Sequence, residues 1–381
     1  MMKKTATLKI TLIVTLAVIA FVGERAVAGS TPTRALATTS LTTMPKSDES
    51  SADPAATTTT TTTPSTSLIV VGPSHSECLT PNVNGSGLMA LQSAISNFDQ
   101  ITDTSVSCIS TYLNSATTWT EWEHPWVTDA TYGYSEWVAE APQSRELVLQ
   151  VDLIPTYFKN ILNPLSWERS CSAGKFNSHA TQLGRSLVAA GLQNSVIRLG
   201  AEMNGTWEND FIGRTPVEQR NWVKCFDNEV TGLRLATGEH FLIDWNPNAC
   251  KYNLPYSRLY PGNSYVDIMG LDLYDVGCLA PSKSYSFVNL ANEPAGLSSF
   301  ESFAIAHKKP MSLPEWGLST IPSGDDPKYI DGIGSSFDSK DFAFESYFDV
   351  TGRGIKALPI GPGTPLSILA FEQWFGSGAK T

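Results

Sequence analysis

Two glutamates in this 381-residue chain have the setting that catalytic carboxylates need. Glu202 lies in the stretch SVIRLGAEMNGTWEND (195–210), where an apolar run ends abruptly in polar residues, and Glu315 lies in a second apolar run, KPMSLPEWGLS (309–319). In a pair of carboxyl groups ~5–5.5 Å apart, one can protonate the leaving oxygen of a glycosidic bond while the other attacks the anomeric carbon. Glu202 and Glu315 are therefore our candidates for the two carboxyl groups of a retaining glycosidase, with Glu202 as the acid.

Short apolar runs that could form the strands carrying these residues recur along the chain. Each is rich in Val, Ile and Leu and is followed by a loop and a segment suited to a helix. The candidate strands are at 67–72, 105–113, 145–155, 195–205, 240–249, 266–275, 309–319 and 366–375. Eight such strands alternating with helices are typical of an α/β fold, the (β/α)8 TIM barrel. We predict one such domain over residues 67–381.

The alternation of side chains along a strand indicates which residues face the barrel lumen. The predicted lumen set is Arg198, Gly200 and Glu202 on the fourth strand, Gly270, Asp272 and Tyr274 on the sixth, Leu313 and Glu315 on the seventh, and Ala370, Glu372 and Trp374 on the eighth. The active site of a TIM barrel lies at the carboxyl ends of its strands. Arg198 is expected either to act on a neighbouring carboxylate or to form a structural ion pair, with Asp272 or Glu372 as its partner.

Both glutamate stretches are similar to motifs of glycoside hydrolase family 26, a family of clan A barrels that includes endo-β-1,4-mannanases and some β-1,3-xylanases. IRLGAEMNGTW resembles the family's R-x-x-H-E-M-N-G-x-W stretch, and KPMSLPEWG resembles its K-P-hydrophobic-E-[FW]-G stretch. WNPN (245–248) and VDIMGLDLYD (266–275) also match the family's fifth and sixth strands. The resemblance implies the same acid/base and nucleophile, Glu202 and Glu315.

The resemblance also implies substrate contacts around the two glutamates. Trp207 would support the sugar next to the acid, Tyr274 would hold the nucleophile through a hydrogen bond, and Trp374 would form the platform under the sugar being cleaved. Arg198 and Asn204 complete the predicted substrate-binding set. For Tyr274 and Trp374 the alternative is simple filling of the barrel mouth.

One residue departs from the family motif. The family's mannanases have a histidine immediately before the acid/base glutamate, where it contacts the substrate near the 2-hydroxyl, and this chain has Ala201. Loss of a buried hydrogen-bond partner can be worth ~1–3 kcal/mol, so the preference stays open between mannan-like and xylan-like polymers. The alternative function is a catalytically inactive barrel that binds carbohydrate at the cell surface.

The segment between the predicted second and third strands is long and aromatic. It contains Trp119, Trp122, Trp126 and Trp137. We expect a loop over the barrel mouth. Sugar stacking and loop packing account equally well for the first three tryptophans.

The first 66 residues are expected to lie outside the barrel. Residues 1–28 have a basic start, a short apolar run and the small residues Ala26-Val27-Ala28, which predict a cleaved signal peptide; the alternative is an uncleaved membrane anchor. Residues 29–66 are almost entirely Ser, Thr, Ala and Pro, which predicts a disordered linker. We expect a secreted, extracellular protein that has no membrane contact after cleavage.

Composition restricts the partners that the chain could have. A formal net charge of −11 gives no reason to bind nucleic acid or anionic lipid, and leaves a neutral polysaccharide or oligosaccharide as substrate. The five histidines show no metal-ligand spacing and no Gly-rich phosphate loop occurs, so we expect neither metal nor cofactor. We expect a monomer.

Six cysteines in an exported chain predict disulfides. The sequence does not choose among the possible pairings. Our hypothesis is the sequential pairing, which joins neighbouring segments: Cys78 with Cys108, Cys171 with Cys225, and Cys250 with Cys278.

Overall fold

The structure is a computed structural model that describes residues 76–379 except 114–115, 158–163, 250–254, 277–285, 321–322, 338–340 and 352–356. The predicted signal peptide, the predicted linker and the first predicted strand at 67–72 lie outside the described residues. No helix in the described part of the chain has the length and apolar character that crossing a membrane requires.

The described residues form a closed barrel of parallel strands surrounded by helices. The strands are β1 (Ser76–Thr80), β2 (Cys108–Tyr112), β3 (Glu146–Val151), β4 (Val196–Leu199), β5 (Leu242–Trp245), β6 (Ile268–Gly270), β7 (Leu273–Tyr274), β8 (Met311–Ser319), β9 (Phe342–Phe348) and β10 (Ala357–Leu358). Parallel pairing runs from β1 to β6 and on through β8 to β9, which pairs with β1 and closes the ring. Short β7 pairs with β8, and β10 adds an antiparallel pair to β8. The predicted (β/α)8 fold is confirmed.

Helices follow the strands and cover the outside of the barrel. They are α1 (Leu88–Thr102), α2 (Trp119–Glu123), α3 (Tyr134–Ala139), α4 (Pro164–Ser172), α5 (Asn177–Ala189), α6 (Pro216–Leu233), α7 (Tyr256–Leu259), α8 (Phe287–Ala291), α9 (Leu297–His307), α10 (Pro327–Phe337) and α11 (Pro365–Phe375). The longest, α6, begins with a capping box between Thr215 and Glu218 and has Pro216 at its first position. A capping box and an N-terminal proline are strong signals for the start of a helix. The loop that carries Glu202 therefore ends where α6 begins.

The predicted eighth strand is wrong. Residues 366–375 belong to helix α11, and the eighth barrel strand is β9. The buried positions of α11 recur after three or four residues along one face, whereas Leu366 and Leu369 are exposed. This recurrence is the period of a helix and not the alternation of a strand. The buried positions are Ser367, Ala370, Phe371 and Phe375. Strand β9 escaped prediction because Glu345 and Ser346 interrupt its apolar run, although the barrel buries both completely.

The lumen becomes more polar towards the carboxyl ends of the strands. Its floor is an apolar layer made of Cys78, Cys108, Val148, Val196, Ile268, Ala343 and Phe344. Above this floor, Arg198 and Asp244 are fully buried, and Ser312 Oγ donates a hydrogen bond of 2.7 Å to Asp244 Oδ2. Polar groups therefore gather at the end of the barrel where the active site is expected.

Two disulfides brace the barrel. Cys78–Cys108 joins the neighbouring strands β1 and β2 in the lumen floor. Cys171–Cys225 joins helix α4 to helix α6. Both predicted pairings are confirmed, and the third, Cys250 with Cys278, lies outside the described residues.

Candidate active site

A tight turn, and not strand alternation, positions Glu202. Strand β4 ends at Leu199, and both Gly200 and Glu202 then take left-handed backbone conformations, with φ of 55° and 53°. Such a conformation is unusual for a glutamate and occurs where the surrounding structure enforces it. The Glu202 N–H donates to the Asn246 carbonyl over 2.7 Å, which ties this turn to the end of β5.

Two N–H donors, one indole and one amide, hold the Glu202 carboxyl group. Trp207 Nε1 donates to Oε2, and Asn248 Nδ2 donates to Oε1. Burial, followed by the negative charge of Glu315, raises the pKa of Glu202 to about 7. Glu202 can therefore carry a proton near neutral pH, as a general acid must.

Asn204 positions Asn248 and does not face the cleft. Its Nδ2 donates to the Asn248 carbonyl over 2.8 Å, and its Oδ1 accepts from the Asn248 N–H over 2.9 Å. With a residue exposure of 2% and both ends of its amide bonded to backbone, Asn204 is unsuited to the substrate contact that we predicted. Asn248, the last residue of the WNPN stretch, is a residue of the site that was not predicted.

A bulge in strand β8 directs Glu315 into the lumen. The pairing of β8 with β9 shifts register between Leu313 and Trp316. Leu313 and Trp316 both pack in the layer between barrel and helices, whereas Ser312 bonds to the lumen residue Asp244. The prediction that Leu313 and Glu315 share a face is therefore wrong, because the bulge changes the alternation between them.

Three groups surround the Glu315 carboxylate. The Tyr274 hydroxyl donates to Oε1 over 2.5 Å, the Tyr112 hydroxyl donates to Oε2 over 2.7 Å, and Arg198 Nη2 lies 3.7 Å from Oε2. Two hydroxyl donors on separate oxygens and a nearby guanidinium hold this carboxyl group in one orientation. Tyr112 was not predicted as a site residue, because its only signal in the sequence is its place at the end of β2 on the lumen face.

Arg198 lies beneath the site and is fully buried. Its Nη2 donates to Asp272 Oδ2 and its Nε to Asn246 Oδ1, each over 2.8 Å. Asp272, and not Glu372, is thus its ion-pair partner. A buried arginine with these partners positions Glu315 electrostatically and is not exposed for the substrate contact that we predicted.

The two tryptophans predicted to contact the substrate, Trp207 and Trp374, are in different environments. Trp207 is 50% exposed beside Glu202. Trp374 lies on helix α11, where its Nε1 donates to Asp331 of α10 over 3.0 Å, so it packs between helices and not in the lumen. At the end of the true eighth strand, the Phe348 ring lies 6.1 Å from the Tyr112 ring and 6.0 Å from the Tyr274 ring.

Two groups of described residues have donor atoms close enough together for a metal ion. Cys171, Cys225 and Glu229 form one group, but the two cysteines are joined in a disulfide. The other group, Asp152, Glu208 and Asp210, lies beside Glu202. Burial and the charge of Asp152 raise the pKa of Glu208 to about 10, because neighbouring carboxylates disfavour a further negative charge.

The fold and the site together define a class of protein. A parallel eight-stranded barrel with two glutamates at its carboxyl end, on the fourth and seventh barrel strands, has the arrangement of a TIM-barrel glycoside hydrolase. The sequence model of glycosyl hydrolase family 26 matches residues 101–303. The chain belongs to this family, and it is a glycoside hydrolase.

Solved structures of the family share the fold. A β-mannanase of Bacteroides ovatus aligns with a TM-score of 0.54 and 14% identity over 74% of this chain and 85% of that one. The catalytic domain of an endo-β-1,4-mannanase of Bacillus sp. JAMB-750 gives a TM-score of 0.52 and 17% identity over 79% and 85% of the two chains. GH26C of a Muricauda species gives 0.54 and 15% over 82% and 88%. A search of curated proteins found no match.

Proposed function

We propose that the protein is a secreted retaining endo-glycosidase that hydrolyses a β-linked polysaccharide with Glu202 and Glu315. The observation that carries the proposal is the contrast between the two carboxyl groups. Burial and the charge of Glu315 raise the pKa of Glu202, whereas Glu315 accepts two tyrosine hydroxyls and lies beside the Arg198 cation. This contrast suits one acid and one nucleophile.

In the first step, a Glu315 oxygen attacks the anomeric carbon while Glu202 gives its proton to the departing glycosidic oxygen. The bond from carbon to the leaving oxygen breaks, and a covalent bond from Glu315 to the sugar forms. In the second step, the Glu202 carboxylate takes a proton from water, and the hydroxide attacks the same carbon and releases Glu315. Glu202 ends protonated and Glu315 ends ionised, so both groups are ready for another cycle.

The proposed substrate is a mannan-like or xylan-like chain. Support comes from the family and from structural neighbours described as β-mannanases and endo-β-1,4-mannanases. Ala201 is buried, with 1% exposure, and its side chain is a methyl group. The position where the family's mannanases have a histidine therefore contributes no polar group. A changed sugar or linkage preference is consistent with that loss.

Export is part of the proposal. Support comes from the signal-like residues 1–28 and from two disulfides, because disulfides persist in oxidising compartments. Mass spectrometry of the protein from culture medium would test it. An N-terminus near residue 29 is expected, and a protein retained in the cell with residues 1–28 intact would contradict export.

A polysaccharide screen tests the catalytic proposal. Release of reducing sugar is measured on mannan, β-1,3-xylan, β-1,4-xylan and mixed-linkage glucan for the wild type, Glu202→Ala and Glu315→Ala. We expect hydrolysis of at least one polymer by the wild type and loss of it in Glu315→Ala, with NMR detecting the β-anomer first. Binding without hydrolysis on every polymer would instead support the inactive carbohydrate-binding barrel, and an initial α-anomer would contradict retention.

A further inference from the structure

Two Asn-Gly pairs occur in the chain, Asn84-Gly85 and Asn204-Gly205. Asparagine is chemically labile, because the backbone nitrogen of the next residue can attack its side-chain carbon, Cγ. Glycine in the next position favours this attack, since it has no Cβ to shield the nitrogen and its backbone rotates freely. The pairs are followed by Ser86 and Thr206, so the two local sequences are closely matched. A large difference in their reactivity would therefore come from the fold.

The first pair lies in an open loop at the active-site end of the barrel. Residues 81–87 join β1 to α1, and Asn84, Gly85 and Ser86 are all exposed. No hydrogen bond joins the Asn84 side chain or the Gly85 N–H to any other described residue. Among those residues, a Cβ built on Gly85 would meet the Ala90 Cβ alone, at 3.5 Å. The attacking nitrogen and the side-chain amide are therefore both unhindered and open to water.

The second pair is held by its neighbours. Asn204 is 2% exposed, its Nδ2 donates to the Asn248 carbonyl over 2.8 Å, and its Oδ1 accepts from the Asn248 N–H over 2.9 Å. The Gly205 N–H donates to the Glu202 carbonyl over 2.6 Å. The group that would be attacked and the nitrogen that would attack it are thus both engaged, and they are released only when this turn opens.

We propose that Asn84 is a site of spontaneous deamidation, with water as the co-reactant, and that the fold protects Asn204 from the same reaction. The Gly85 nitrogen loses its proton and bonds to Asn84 Cγ, while the side-chain nitrogen takes up a proton and leaves as ammonia. Water then adds to either carbonyl carbon of the resulting succinimide ring and opens it to aspartate or isoaspartate. No atom is oxidised or reduced.

The reaction changes the charge and the backbone of the loop. A carboxylate replaces a neutral amide, and isoaspartate also lengthens the main chain by one carbon. Gly85 and Ser86 line a cavity of about 830 Å³ whose other walls include Glu121 and Asp129. Conversion of Asn84 therefore brings a further negative charge to a cavity that already has two acidic side chains.

Peptide mapping of the folded chain tests the selectivity. The full protein is incubated near neutral pH, and mass spectrometry follows conversion at both pairs over time. Asn204 should convert at least about 100-fold more slowly than Asn84, because three hydrogen bonds must open first. Similar rates at the two sites, or faster conversion of Asn204, would overturn the proposal.

The unfolded chain separates the effect of the fold from that of the sequence. In denaturing urea with reduced disulfides, the two pairs should convert at rates within about threefold of each other, since both are then exposed. A gap that persists in urea would show that the sequence, and not the fold, protects Asn204. An Asn84 that converts in urea but not in the folded chain would also overturn the proposal.

Gly85→Ala tests the attacking nitrogen. The added Cβ shields this nitrogen, so conversion of Asn84 should slow about tenfold or more. Gly262→Ala is the matched control, because Gly262 also has a left-handed backbone, with φ of 103° against 112° at Gly85, and nothing lies within 4 Å of its added Cβ. This control should leave the rate at Asn84 unchanged. Equal slowing in both variants would mean that backbone strain, and not access to the nitrogen, sets the rate.

Isoaspartate gives a specific readout of the succinimide route. Protein-isoaspartate methyltransferase transfers a labelled methyl group from S-adenosylmethionine to isoaspartate and not to aspartate. The peptide containing residue 84 should gain label as the wild type ages, and the same peptide of Asn84→Gln should not. A converted residue 84 without label would rule out the succinimide and overturn the proposed reaction.

Discussion

At the scale of single residues, the two glutamates of the site differ in their surroundings. Glu202 is held by two N–H donors and lies next to another carboxylate, whereas Glu315 receives two hydroxyl groups and lies near a guanidinium. These neighbours belong to strands and loops from β2 to β8. Two predictions follow from them.

The first concerns the pH dependence of catalysis. Because burial and the charge of Glu315 raise the pKa of Glu202 to about 7, kcat/KM should fall about tenfold per pH unit above that value, as the acid loses its proton. The measurement is a pH profile with an oligosaccharide substrate. In Glu202→Ala, assayed with an aryl glycoside whose leaving group needs no proton, this basic limb should disappear. Its persistence would assign the limb to another group.

The second concerns the tyrosines at the nucleophile. Tyr112→Phe and Tyr274→Phe each remove a hydrogen bond to a charged group, worth ~1.5–3 kcal/mol, so kcat/KM should fall roughly 10- to 150-fold. A matched control is Tyr260→Phe, which removes an exposed hydroxyl that bonds to Asn263. Equal effects in all three variants would mean that the hydroxyls do not support Glu315.

At the scale of elements, each glutamate lies where a strand departs from regular geometry. Glu202 follows a left-handed turn after β4, and Glu315 occupies the bulge of β8. Helix patterns and strand alternation are read locally along the sequence, and they identified most of the barrel strands. The turn and the bulge depend on the residues that pack against them. Regular alternation therefore placed Leu313 and Glu315 on the same face of β8, which is wrong.

Gly200→Ala tests how much the turn matters. At φ of 55° an alanine is strained by ~1–2 kcal/mol, and its Cβ would lie 2.7 Å from Trp222 Cζ2. We expect a loss of unfolding free energy larger than the strain alone, together with reduced kcat/KM, measured by urea denaturation and assay. Gly191→Ala is the matched control, since Gly191 has φ of 79° with nothing within 4 Å of the added Cβ. Equal losses in the two variants would show that the contact with Trp222 contributes nothing.

At the scale of the whole molecule, closure of the barrel buries a second pair of carboxyl groups. The pairing of β1 with β9 sets Glu77 opposite Glu345. Burial raises the pKa of Glu345 to about 8, and burial and then the charge of Glu345 raise that of Glu77 well above its usual range. Asp99 of α1 adds to the effect on Glu77, and Trp316 Nε1 donates to Glu345.

This pair should make stability depend on pH. A folded pKa above the unfolded one favours folding while the group is protonated, and this stabilisation is lost as pH rises through the folded value. For Glu345 the unfolding free energy should therefore fall by ~1.4 kcal/mol per pH unit between the unfolded glutamate pKa of ~4.3 and about pH 8, and the fall should level off above pH 8. Thermal unfolding at a series of pH values measures the change. Glu345→Gln should flatten the profile, and an unchanged slope in this variant would contradict the assignment.

The residues alone were enough to predict the class of fold and the two catalytic candidates, and they suggested the pairing of neighbouring cysteines without selecting it. Apolar periodicity, the residues around Glu202 and Glu315, and the cysteine order are all local features of the chain. The ion pair of Arg198 with Asp272 could also be predicted as one of two alternatives, because regular alternation places both side chains in the lumen.

The strand that closes the barrel and the residues that complete the site became clear only from the folded structure. Glu345 and Ser346 are polar residues that do not predict a core strand, yet β9 pairs with both β1 and β8. Residues 366–375 have the apolar content of a strand, but they form a helix that buries one face. Tyr112 reaches Glu315 across 203 positions of sequence. Such contacts exist only after the ring closes, because pairing between distant strands is not encoded in the local pattern of either one.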